Sequence, residues 1–105
     1  MRPDPNIDHL RSALRLHVAV KIDRLNQWAS DLRKGGVHVP ARRIIERDTE
    51  RAQWLIDFCT PITTEEERKT MRKDLAVAAS TVFVLLKART EDRVALRNSR
   101  IVKAL

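Results

Sequence analysis

Glycine is confined to one dipeptide, Gly35-Gly36, and proline to Pro3, Pro5, Pro40 and Pro61, so long stretches of this chain contain nothing that breaks a helix. A glycine-rich loop that cradles phosphate is excluded with them. Cys59 is the only cysteine, which rules out an internal disulfide and any metal cage built on paired thiolates, zinc fingers included. A reducing intracellular compartment such as the cytoplasm suits a lone thiol. Tyrosine is missing, and Trp28, Trp54, Phe58 and Phe83 are the only aromatic residues. Readers of single-stranded nucleic acid stack bases on exposed rings, and most of these four are expected in the core, so single-strand binding ranks below duplex binding. No apolar run reaches the roughly 18 residues that span a bilayer. The N-terminus opens on Pro3, Asp4 and Pro5 rather than on a charged start and an apolar stretch, so neither a signal peptide nor a membrane anchor is expected.

Positive charge is what the chain has in excess: 21 Lys and Arg against 14 Asp and Glu over 105 residues, a formal charge of +7. With a pI near 10.5, that balance points to nucleic acid or to an acidic surface as partner. Hydrophobic residues at 43% make the chain too apolar to be disordered, and its length suits a single domain with a modest core.

The glycines and prolines divide the chain into three helical pieces. The first predicted helix spans about 6–34, with Asn6 or Asp4 as cap and Arg33 and Lys34 complementing its negative end before Gly35. Val37, His38 and Val39 form an extended connector, and Pro40 suits the first turn of a second helix that runs to about Cys59. Thr60 and Pro61 end it. Thr63 followed by Glu66 matches a capping box, so a third helix spans about 64–104. One segment is ambiguous: Leu14, Leu16, Val18, Val20 and Ile22 alternate with polar or small residues as a half-buried strand would. Helix is favoured because Leu14, Val18, Ile22, Leu25, Ala29 and Leu32 continue at helical spacing.

In the third helix Met71, Leu75, Ala78, Val82 and Leu85 form a stripe that lapses from Lys87 to Arg93, where the helix can bend near Thr90, before Val94, Ile101 and Leu105 partly restore it. No residue from Leu75 to Leu86 is charged, which implies burial on nearly all sides. The expected fold is all-α: a three-helix unit with a long C-terminal helix, packing as a helical-bundle homodimer so that the end of the longest helix is covered.

Arg89, Arg93, Arg97 and Arg100 recur at spacings of four, four and three, which stacks their guanidiniums along one side of that helix, with Lys103 beyond them. Like charges at these offsets repel, and only Arg89 has an acid, Asp92, at a helical offset. A second basic face is expected on the first helix, where Arg15, Lys21 and Arg24 lack acids at those offsets. Arg43, Arg47 and Arg51 make a similar row on the second helix, but Glu46, Asp48 and Glu50 stand close enough in sequence to neutralise it. Asp48 also interrupts the apolar stripe of that helix, which fits either an ion pair with another helix or a solvated edge.

Guanidinium presents a planar fork to phosphate oxygens, and fifteen of the 21 cations are arginine. The function expected from sequence is therefore binding of the phosphate backbone of a duplex, RNA or DNA, by arginine ridges. The alternative is an adaptor or regulator that binds an acidic protein. Catalysis is not expected: His9, His17 and His38 form no paired metal-site spacing, and Cys59 beside Phe58 reads as packing. Neither a metal nor a cofactor is expected.

Overall fold

The computed structural model describes residues 5–36 and 38–104, with side chains for 6–36 and 38–99. Its elements are α1 (Pro5–Arg33), α2 (Arg42–Phe58), a 3-10 turn over Thr60–Ile62, and α3 (Glu65–Ala104). The described residues contain no strand. Side-chain contacts fix the directions. Arg15 of α1 meets Glu67 at the start of α3, and Arg89 far along α3 meets Gly36 just past the end of α1, so these two helices run parallel. Asp57 of α2 pairs with Arg72, while Arg42 lies over Phe83, which makes α2 antiparallel to α3.

The core is the line where the three apolar stripes meet: Leu14, Val18, Leu25 and Ala29 from α1, Ile45, Ala52 and Ile56 from α2, and Leu75, Ala78, Ala79 and Val82 from α3. Alanines on all three helices let the backbones approach closely. Thr49 is the one buried polar residue among those described, and its hydroxyl donates to the Ile45 carbonyl at 2.8 Å, so its burial leaves no unmet donor. The ambiguous segment is helical. Leu14 and Val18 are 3% and 2% exposed whereas Leu16 is 66% exposed, the opposite of what a strand's alternation requires.

Two starts fall later than the sequence suggests. Pro40 stands outside α2, because Ala41 is the extended residue (φ −61°, ψ 148°) whose carbonyl accepts the first helical bonds, from Ile44 at 2.9 Å and Ile45 at 3.3 Å. At α3 the capping threonine is Thr64, whose hydroxyl accepts from the Glu67 amide at 3.1 Å. Thr63 is occupied elsewhere: its hydroxyl donates to the Cys59 carbonyl at 2.7 Å and accepts from Arg68 at 3.0 Å, which ties the 3-10 turn to α3.

Expected burial of the uncharged stretch of α3 on nearly all sides is corrected: within this chain it buries one face, and Val77 and Val84 are 60% and 65% exposed on the other. The helix continues unbroken past Thr90. Since α1 has ended and α2 begins beside Phe83, α3 from Thr90 onward runs beyond the bundle for about 22 Å, and every side chain from Thr90 to Ser99 is exposed. Among the described residues no helix is long and apolar enough to cross a membrane.

Candidate nucleic-acid interface

Three backbone segments converge where the α1–α2 turn meets α3. Past the end of α1 the chain reverses through Gly35 (φ 124°) and Gly36 (φ 66°), with the Gly36 amide donating to the Asp31 carbonyl at 2.6 Å. Left-handed geometry makes glycine suitable at Gly36, and close approach makes it necessary: an added Cβ would collide with Arg89 Nη1 and lie 3.2 Å from Leu32 Cδ2. Arg89 Nη1 donates to the Gly36 carbonyl at 2.8 Å. The guanidinium is thus held against the turn, and beside it opens a cleft of about 400 Å³ lined by Arg42, Arg89 and Arg93 together with Pro40 and Thr90.

Electrostatics in this cleft are one-sided. The first turn of α2 contains no acidic residue and no side chain caps it, so its positive end stands uncompensated beside Arg42 and Arg43. Arg42 is engaged on two sides, by Glu46 at 2.8 Å and by the Phe83 ring at 5.4 Å. Above the cleft Arg93 and Arg97 are exposed and form no ion pair among the described residues. Cations at the positive end of a helix and along one helix face raise the energy of the free protein, and an anion bound there lowers it.

The second predicted face does not survive as spare charge. Arg11 and Arg15 converge on Glu67, with Arg15 at 3.1 Å, and Lys21 and Arg24 share Asp48, with Arg24 at 3.8 Å. Offsets within α1 show no acid near these cations because their partners come from α2 and α3. The two guanidiniums, Arg15 foremost, hold the Glu67 carboxyl below the ordinary value of 4.5.

The α2 row is reversed in the same way. Glu46 pairs with Arg42 and Asp48 turns to α1, which leaves Arg43, Arg47 and Arg51 exposed and without ion pairs among the described residues. One signal for this was present in the sequence: an acid that interrupts an apolar stripe faces a neighbouring helix and is unavailable to its own. Lys87, also exposed and unpaired, adds to the same end of the molecule. The side chains of Arg100 and Lys103 lie outside the described residues. Trp54 and Phe58 correct the expectation of buried aromatics, being 63% and 67% exposed and stacked on each other at 5.0 Å.

His17 lines an apolar groove, His9 and His38 are exposed, and the described residues hold no cluster of ligating side chains that fits a metal ion. No protein-family model, curated protein or solved structure matches this chain.

Proposed function

We propose that this protein binds the phosphate backbone of duplex nucleic acid, RNA or DNA, without catalysis, through the turn end of the bundle and the projecting part of α3. One observation carries the reading: after every ion pair among the described residues is assigned, the cations left unpaired include Arg93, Arg97 and Lys87 on α3 and Arg43 on α2, all exposed and all on helices. A helical scaffold spaces these charges without the entropy cost of ordering a loop at binding. Arg89 to Arg97 spans about 12 Å of helix, long enough to meet several phosphates along one groove edge. Arginines on phosphates read no base edges, so recognition by these residues rests on shape and charge rather than on sequence.

The proposal includes self-association and a reducing intracellular setting. Val77, Val84 and Val94 are exposed at offsets of seven and ten, the spacing of a helix–helix seam. A second copy packed antiparallel along α3 would cover them and bring two arginine columns onto one assembly. Light scattering that returned a strict monomer at micromolar concentration would remove the dimer from the account.

Double-stranded RNA, double-stranded DNA and single strands of matched length, compared by fluorescence anisotropy against wild type and an Arg93→Glu, Arg97→Glu variant, test the function itself. Tighter binding of at least one duplex than of the single strands, and its loss in the variant, is expected. Equal binding by the variant would defeat the assignment of the interface.

A further inference from the structure

At the opposite end of the bundle the structure has a second surface that phosphate binding does not use. Leu10, Ala13, Leu14 and His17 of α1, with Leu55 and Phe58 of α2 and Pro61 and Ile62 of the 3-10 turn, line a groove of about 570 Å³. The α1 positions follow at offsets of three, one and three, so the groove runs along α1 for two turns, about 10 Å. Its rims are exposed: Leu10 is 55% and Phe58 67% accessible, and the Trp54 ring stacked on Phe58 extends the apolar rim outward.

We infer that this groove is a docking site for an amphipathic helix of another protein that carries acidic residues beside its apolar face. Shape decides against a lipid surface, because the apolar atoms line a concavity and a flat bilayer would touch only the rims. Charge decides the chemistry of the partner. Arg47, Arg51, Leu55 and Phe58 fall at offsets of four, four and three, so two exposed arginines without an ion pair among the described residues continue the line of the groove wall. On the facing side His17 leads to Lys21 and Arg24 at offsets of four and three, and one carboxylate, Asp48, serves both of those cations. The groove is therefore apolar at its Pro61 end and net positive where it continues toward the middle of the bundle. Apolar anchors at i, i+3 or i+4, and i+7 fill the first part, and carboxylates one turn further along meet the second. This surface lies on other residues than the arginine cleft, so the inference stands apart from the proposed duplex binding and gives the molecule two ends of different specificity.

A displayed library of helix-forming peptides of about 18 residues, randomised at the groove-facing and flanking positions, tests it against the full-length chain. Selection is expected to enrich peptides with the i, i+3 or i+4, i+7 apolar pattern followed by Asp or Glu. Synthetic copies should bind roughly tenfold or more weakly to a Leu10→Ser, Phe58→Ser variant, and also more weakly to Arg51→Glu. Both serines replace exposed side chains, and a helical circular dichroism spectrum with a cooperative melt confirms that the variant folds. Absence of enrichment, enrichment of basic or uncharged peptides, or undiminished binding to the serine variant overturns the inference. So does a self-associated species that Phe58→Ser dissolves, cosedimentation with phosphatidylserine vesicles lost in the same variant, or loss of oligonucleotide binding in it, since each assigns the surface to a different occupant. The Arg93→Glu, Arg97→Glu variant should keep its peptide affinity, which separates failure of this inference from failure of duplex binding.

Discussion

Gly36→Ala reads out the geometry that builds the arginine cleft. Gly36 sits at φ 66°, where a residue with a side chain costs about 1–2 kcal/mol. The new methyl would displace the Arg89 guanidinium, the flexible end of a half-exposed side chain, so the collision itself is relieved by movement. That movement breaks the 2.8 Å bond to the Gly36 carbonyl, worth about 1 kcal/mol net at such a position. Leu32 Cδ2, 3.2 Å from the added carbon, must also yield by a few tenths of an ångström. Together the substitution should lower stability by about 2–3 kcal/mol, or roughly 10–20 °C in melting temperature for a domain of this size. Arg89→Ala alone should cost about 1 kcal/mol, and in that background Gly36→Ala should cost only its backbone part and the Leu32 contact, leaving a coupling near 1 kcal/mol. Urea unfolding of the four proteins measures this cycle. Strictly additive costs, or a Gly36→Ala protein as stable as wild type, would refute the described packing of Arg89 against the turn.

Other substitutions probe the core and the ion pairs. Leu75→Ala, at a fully buried site, should cost about 2–5 kcal/mol, whereas Phe58→Ser at an exposed one should stay within about 1 kcal/mol in the same assay. Asp48→Asn should lower stability by about 1–2 kcal/mol by leaving the largely buried Lys21 unpaired, while duplex affinity should change little because neither Lys21 nor Arg24 belongs to the proposed interface. Glu67 titrates lower in the folded protein than its ordinary 4.5, so its contribution to stability is present above that pH and is lost as pH falls below it. Melting temperatures of Glu67→Gln should accordingly depend less on pH than those of wild type between about pH 5 and 3, and parallel profiles would count against the Arg11–Glu67–Arg15 cluster.

Local signals made the helices legible. Two glycines and four prolines leave few places for turns, and the apolar residues between them recur at helical spacing, so all three helices and their approximate spans follow from the order of residues. Helix starts were less legible. Thr63 and Thr64 are adjacent and each stands three residues before a glutamate, so the choice of cap depends on Arg68 reaching back to Thr63. Charge pairing was the least legible feature. Arg15, Lys21 and Arg24 look spare on α1 and Arg43, Arg47 and Arg51 look compensated on α2, yet packing exchanges these roles because Glu67 and Asp48 both face α1. Exposure of Trp54 and Phe58 follows from the same cause: the three buried stripes are filled by aliphatic and small residues, and the rings fall on the outer face of α2.

Whether the free arginines of α3 meet phosphates is decided by how duplex binding responds to salt. Each phosphate contact contributes about −0.9 to the slope of log K against log salt, so replacing Arg93 and Arg97 by glutamine should make the slope shallower by about 1.8. Wild type should also weaken steeply between about 50 and 200 mM salt. An unchanged slope in the Arg93→Gln, Arg97→Gln protein, or wild-type binding that salt does not weaken, would contradict a phosphate-binding role for the free arginines of α3.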